Sequence, residues 1–349
     1  RSSDLSRAAV VFSCIFIMLI SITINGHNTR LDKVNSEFQL GVKVRVASDP
    51  LIEVEGNNQL AAVVDQGSGT EEDPYIITNK EITVINDSSA ISIVNTNAYL
   101  VIRDSIIIGS APSRMGLGIN LNNATNVKIQ NVDIYGINTI GIYAFESPLL
   151  EICDSRIENA SQVGIQIANI PETLVYQNWI SSCGDAEEWN AAILLWGSGC
   201  KNNTIEHNRL TNNVQGIHFR ASGIRDNIVR GNEIKNSSIA AIRYTHGAGP
   251  NIFYWNNFID NAEISIDSRV DDEWDKGYPE GGNYYDIYNG TDEFNGIDQD
   301  IEGNDGIGDT SFQIGGDAVD KYPLMNPYAF DDDGSSANIP AYPMVYVGI

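Results

Sequence analysis

The chain has 349 residues, 42% of them apolar, with 31 Gly and 11 Pro; that rules out a wholly disordered chain and suffices for one large or two small domains. Lys and Arg number 21 against 46 Asp and Glu, so the formal charge is −25, which argues against a sequence-independent nucleic-acid binder. Residues 260–333 hold 21 acidic and 3 basic side chains, net −18, and leave −7 for everything else. Four cysteines (Cys14, Cys153, Cys183, Cys200) are too few and too scattered for a disulfide framework or a paired-cysteine metal site.

In chain order, Ala8–Ile24 comes first: seventeen residues without a charge, preceded by Arg7. This reads as a signal peptide or an uncleaved anchor within residues 1–30, and both imply export. The chain lacks an initiator Met, so a truncated N-terminus is expected. Residues 31–90 are read as a capping segment.

From residue 91 onward the sequence repeats. Short apolar strands begin at Ile91, Ile119, Ile142, Ile165, Ile193, Ile217, Ile242 and Ile266, spaced 28, 23, 23, 28, 24, 25 and 24 residues apart. Most follow a small residue, and each alternates with period two, as in Ile165-x-Ile167 and Ile193-x-Leu195. A second apolar row follows at Ile107, Ile134, Ile157, Ile180, Leu210, Ile234 and Ile259. A third lies five positions before it, at Ile102, Ile129, Ile152, Val175, Ile205, Val229 and Tyr254. Three rows without a helical stretch predict three short strands per coil.

Asparagine keeps the same period. Asn208-x-Leu210-x-Asn212, Asn232-x-Ile234-x-Asn236 and Asn257-x-Ile259-x-Asn261 place amides at matching corners, and Asn159 and Asn178 fit the same columns. An inward amide can satisfy the orphaned backbone groups of a tight bend and bond to the coils above and below. The architecture that accommodates these rows is all-β: a right-handed parallel β-helix over residues 91–266, with an N-terminal cap and an acidic C-terminal cap over 267–328. Eight coils stacked at strand spacing make a rod of about 38 Å.

The leader IEVEGNNQLAAVVDQGSGTEEDPYIITN (52–79), the N-x-[IL]-x-N coils and the closing runs WDKGYPEGGNYYDIYNG (274–290), NDGIGDTSFQIGG (304–316) and DKYPLM (320–325) carry a resemblance. Over residues 50–328 the chain resembles the right-handed β-helix surface proteins of the NosD (CASH) type, found in archaea and some bacteria. The resemblance implies fold and export; it implies little about chemistry, because many such proteins have no established activity.

On the first strand of each coil, the residues alternating with the buried ones should stack outward. The column reads Asn120 and Asn122, Tyr143 and Phe145, Gln166 and Ala168, Leu194 and Trp196, His218 and Arg220, Arg243 and Thr245, Asp267 and Arg269. Aromatic platforms beside planar cationic donors suit sugars, whose rings have apolar faces and whose acidic forms carry carboxylates. A glycan-binding face is therefore expected at Tyr143, Phe145, Trp196, His218, Arg220, Arg243 and Arg269, with solvated surface side chains as the bland alternative. The insertion CGDAEEWN (183–190) lengthens one coil and is expected to wall a groove or cap an edge. A polysaccharide lyase or uronate epimerase is the enzymatic alternative, with Arg220, Arg243 and Arg269 neutralising a uronate. Against it, the D-P-H-D run of the alginate epimerases and the Asp cluster of the pectin-cleaving families are both missing.

Asp298, Asp300, Glu302, Asp305 and Asp309 follow the carboxylate spacing of an EF-type loop, and a structural Ca²⁺ is expected there. Copper, which the family label suggests, is disfavoured: of four His only His218 and His246 come near each other, with no Met beside them. Cys183 and Cys200 fall in neighbouring coils, and both a disulfide and free thiols are open. Six N-x-[ST] sequons occur, at Asn86, Asn123, Asn159, Asn202, Asn236 and Asn289, of which Asn159 and Asn236 are expected to be buried. Residues 329–349 read as a polar linker followed by an apolar run, a loose tail or the start of a second membrane anchor. Polysaccharide and, through the terminal apolar segments, a membrane are the expected partners, and the cell surface or exterior the expected location.

Overall fold

The computed structural model describes residues 48–329, apart from 86, 110–115, 186–188 and 270. The apolar stretch at 8–24 and the tail beyond 329 lie outside the described residues. Among the described residues no helix is long and apolar enough to cross a membrane.

The coils stack in parallel, as the repeat requires. Nine strands form one sheet, in the order Ile52–Glu55, Ile91–Thr96, Ile119–Ala124, Ile140–Phe145, Val163–Ala168, Ala191–Trp196, Gln215–Arg220, Ala240–Thr245 and Ser265–Ile266. The two remaining strands of each coil join a single fifteen-stranded sheet that bends at a corner; in the early coils they run on as Leu100–Gly109 and Val127–Tyr135. The first complete turn comes earlier than expected. Ile52–Glu55, Tyr75–Thr78 and Glu81–Val84 pair with the coil above them, so most of the predicted capping segment is itself a coil, interrupted by the short helix Gly56–Val63.

Register bears out the apolar rows through most of the rod. Ile91, Ile119, Ile142, Ile165, Ile193, Ile217 and Ile242 are successive pairing partners and all fully buried. The second row runs Ile107, Ile134, Ile157, Ile180, Leu210, Ile234, and the third Ile102, Ile129, Ile152, Val175, Ile205, Val229. The small residue before each first strand has a packing cause. A Cβ on Gly164 would lie 2.6 Å from the Ala192 carbonyl oxygen and 2.5 Å from Ile180, where the chain turns close against the next coil.

At the last coil all three rows shift by one residue. Val229 pairs with Phe253, not Tyr254; Ile234 with Phe258, not Ile259; and Ile242 with Ser265, not Ile266. Apolar side chains occupy outward positions here, so the pattern reads equally well in either register. The inward positions carry the large rings instead. Phe253 stacks on Trp274 (4.3 Å), Phe258 on Tyr285 (5.3 Å) and Tyr285 on Phe312 (4.2 Å). These rings plug the open end of the core, which would otherwise expose a strand edge and apolar side chains.

The corners are built from a pair of residues. The first takes the left-handed backbone conformation, as Asp154, Gln177 and His207 do at one corner and Asn159, Ser182, Asn212 and Asn236 at the next. Asn enters this region at low cost. The second points inward. Thus the two Asn of each N-x-[IL]-x-N run differ: Asn208 and Asn232 are buried, whereas Asn159, Asn212 and Asn236 are exposed, correcting the expectation that 159 and 236 are sequestered. At the last coil the inward amide is Asn256, and the Asn257 amide instead brackets the backbone of Tyr328.

Eight of the buried amides form two ladders. In one, Asn178, Asn208, Asn232, Asn256 and Asn283 follow one another, each backbone N–H donating to the next Oδ1 at 3.0–3.1 or 2.9 Å. The other comprises Asn203, Asn227 and Asn251. These backbone N–H donors all point toward the C-terminal end, so each ladder needs an acceptor to finish it. Asp320 takes the Asn283 N–H (2.7 Å) and Asp272 takes the Asn251 N–H (2.8 Å). A carboxylate suits that place because it accepts without donating. Burial pushes Asp320 up to about 7 and Asp272 up to about 6, against the opposing pull of these backbone hydrogen bonds.

Candidate functional site

The outward column of the nine-stranded sheet exists in the expected register. Asn120, Tyr143, Gln166, Leu194, His218 and Arg243 lie on successive rungs. Beside them run Asn122, Phe145, Ala168, Trp196, Arg220 and Thr245. The last rung departs: Ile266 follows Arg243, so Asp267 and Arg269 do not continue the column. Arg269 packs its side chain against Gly249, donates its backbone N–H to the Asp272 carboxylate, accepts the Asp272 N–H at its carbonyl and approaches the Asp271 carboxylate (3.8 Å).

The column is not uniformly open. Gln166 is buried, Leu194 is 2% exposed and His218 1%, although their strands turn these side chains away from the core. Trp189 lies against this end of the column: its backbone meets His218, and the Arg220 guanidinium lies 5.3 Å from its ring centroid. His218 Nε2 lies 3.0 Å from Thr245 Oγ1. Burial first, then the Arg243 charge, with Arg220 and His246 adding, push the His218 imidazole down to about 3; the Trp189 backbone works in the opposite direction. A neutral, covered histidine holds the floor of this face and does not present a charge to a ligand.

What remains accessible is a track. Tyr143 and Phe145 are half-buried, Trp196 is 44% exposed, Trp189 is 41% exposed, and Arg220, Arg243 and Thr245 are partly open. At its lower end a polar depression of about 340 Å³ is lined by Thr245, His246, Asp267, Ser268 and Arg269 among others. So the structure gathers Tyr143, Phe145, Trp196, Arg220 and Arg243 on one face, buries His218 beneath it, and sets Arg269 at its margin. Trp189 completes the face; the length of its insertion was the only trace of this in the sequence. The residues offer stacking surfaces and cations, which bind and orient.

The other expected sites fare differently. Among the described residues no group of three or more His, Cys, Asp or Glu gathers as a metal site. Asp309 accepts hydrogen bonds from Thr291 Oγ1 and the Glu293 and Phe294 N–H groups, which hold its carboxyl below the usual range despite desolvation, while Glu302 lies in a two-stranded hairpin opposite Phe294. Asp305 accepts from the Ile307 N–H, and the chain bends around 298–302 without bringing Asp298 and Asp300 into a shared cluster. Cys183 and Cys200 are separate buried thiols, and burial pushes Cys183 up to about 12, far from thiolate chemistry. A cleft of about 480 Å³ at the other end, lined by Asn57, Asn58, Asn95, Asn97, Asn123 and Thr125 among others, is polar and was not anticipated.

The family model described as "Right handed beta helix region" matches residues 51–201 and 89–259. Among curated proteins none matches. Among solved structures, ORF18 of Geobacillus virus E2 is similar at 11% identity over 75% of this chain. This chain spans 64% of that protein's length, and the TM-score of 0.30 is too low for the likeness to carry an argument. The family match, covering well over half of the chain and agreeing with the stacked parallel coils, places this protein in the right-handed β-helix family.

Proposed function

We propose that this protein is an exported, noncatalytic carbohydrate-binding β-helix that holds polysaccharide on the outward face of its nine-stranded sheet. The carrying observation is the register that stacks Tyr143, Phe145 and Trp196 on one face with Arg220 on the next rung and Trp189 beside it. Exposed aromatic side chains grouped with a guanidinium are unusual on a solvated sheet and match the apolar faces and acidic groups of sugars. The family includes carbohydrate-binding and polysaccharide-acting members, which supports the substrate class without choosing between binding and turnover.

A lyase or uronate epimerase is the second reading, favoured by Arg220 and Arg243 on adjacent rungs. Affinity electrophoresis in polysaccharide gels, run beside an absorbance assay for unsaturated uronate and an NMR assay for C5 inversion, separates the two. Retardation without either product is the expected result. Turnover abolished by Arg243→Ala would establish the enzyme instead. A protein that migrates unretarded in every gel and yields no product would be a structural spacer.

A further inference from the structure

The proposed binding face uses none of the six sequons, and the fold sorts them. Asn86 lies outside the described residues. At Asn159 the sequon hydroxyl is engaged, because Ser161 Oγ donates to the Asn138 carbonyl oxygen. At Asn289 the Thr291 hydroxyl donates to the Asp309 carboxylate (2.9 Å). Asn202 and Asn236 stand exposed at corners, and the Asn236 amide donates to Asn212 Oδ1 (3.0 Å).

Asn123 has different surroundings. It takes the left-handed corner conformation (φ 50°); Ala124 then turns inward and is fully buried, while Asn123 itself is exposed. Half-buried Thr125 accepts a hydrogen bond from Asn126 Nδ2 (3.3 Å), a role that does not use its own hydroxyl proton. Asn123 and Thr125 both line the polar cleft of about 480 Å³, together with Asn57, Asn58, Asn95 and Asn97. The rim of the cleft is tied down: Asn57 Oδ1 accepts from Thr96 Oγ1 (2.6 Å), and Asn57 Nδ2 donates to Asn97 Oδ1 (2.7 Å). Asn123 Nδ2 donates to Asn95 Oδ1 (2.9 Å), which occupies one of its two protons.

We infer, on the footing that the chain is exported, that Asn123 is an N-glycosylation site whose first sugar lies in this cleft. An Asn-x-Thr triplet at an accessible surface is the acceptor signal. The donor is an oligosaccharide carried on a lipid phosphate. Asn123 Nδ2 gives up one proton to the transferase and bonds the anomeric carbon. The bond from that carbon to the phosphate oxygen breaks, and the lipid phosphate leaves with the electron pair. The proton that stays on Nδ2 keeps the bond to Asn95. The other amides suit the attached sugar, since each offers donors and an acceptor to its hydroxyls. The cleft falls in the size range of small-molecule sites.

Glycopeptide mass spectrometry of the full chain, recovered from the surface or medium of the cells that make it, tests this. Most copies should carry a sugar chain on Asn123. Thr125→Ala should lose it altogether although Asn123 is intact, and Thr125→Ser should keep it. Nuclear Overhauser contacts are expected between the first sugar and the Asn57 and Asn58 amides. A first sugar without such contacts would overturn its place in the cleft. Unmodified Asn123 in the exported protein would overturn the site, whether or not Asn202 and Asn236 carry sugar, and would leave export and polysaccharide binding standing. Confinement of the protein to the cytoplasm would instead overturn export, and this inference with it, while the gel assay still decides polysaccharide binding.

Discussion

The two outer surfaces of the solenoid are built from the same alternation and have opposite characters. On the fifteen-stranded sheet the outward cations are matched by acids: Lys128 with Glu151 (3.1 Å), Arg156 with Glu158 (2.6 Å), Arg209 with Glu233 (3.2 Å) and Arg230 with Glu206 (2.6 Å). Even its exposed Trp179 is covered on one side by Arg156, 4.2 Å from the ring. The nine-stranded sheet carries a run of aromatic side chains that ends at Arg220, packed on Trp189. A surface that neutralises itself rung by rung needs no partner. One that groups aromatic rings beside a guanidinium has recognition capacity left over.

The largest effect should come from breaking what both faces share. Asn232 donates to the Ile205, Arg230 and Asn256 oxygens and accepts the Asn208 N–H groups. Asn232→Leu leaves those partners buried and unpaired, so unfolding free energy should drop by roughly 3 kcal/mol or more, read from the denaturant midpoint. An unchanged midpoint would mean that the ladder contributes nothing. Next, Trp196→Ala should weaken polysaccharide retention at least tenfold, about 1.4 kcal/mol, while the thermal midpoint moves far less than in Asn232→Leu because the residue is 44% exposed. Equal loss of binding from Trp179→Ala would erase the contrast between the faces.

Acid should pull the interior in two directions. His218, lowered to about 3, contributes stability that is complete above its unfolded pKa near 6.5 and is lost as pH falls toward the folded value. Asp320 and Asp272, raised to about 7 and about 6, contribute stability that is complete below their unfolded value of 3.8 and is lost as pH rises through the folded ones. In His218→Gln the carboxyls act alone, so stability should decline steadily between pH 4 and pH 7. Adding Asp320→Asn should flatten that slope, and a slope that stays the same would place its origin elsewhere. The smallest effect belongs to the matched face. Glu206→Gln breaks a partly exposed ion pair with Arg230 and should cost at most about 1 kcal/mol, with glycan retention unaltered in the same gels.

Much of the rod was legible because a solenoid converts sequence period into spatial register. Ile119 meets Ile142, and Ile142 meets Ile165, only because each coil returns the chain to the same place. The outward column followed from the same arithmetic, so Tyr143, Phe145, Trp196 and Arg220 could be placed on one face before any coordinates. Legibility failed where the pattern became degenerate. Around Phe253–Tyr254 and Phe258–Ile259 both neighbours are apolar, and the sequence then has no preferred phase.

Alone, then, the sequence determined the stacked coil, the inward rows through Ile242 and the identity of the residues on the outer face, since these depend on spacing repeated many times. Tertiary structure decided which asparagine of each pair turns inward, because that depends on the left-handed residue before it. It also decided that His218 and Leu194 are covered and that Trp189 meets Arg220, since an insertion has no counterpart in other coils from which its path could be read. The ends of the ladders belong to the same category. Asp272 and Asp320 are single residues outside the repeat, and only the folded chain brings them to the last amide, where a buried donor requires an acceptor.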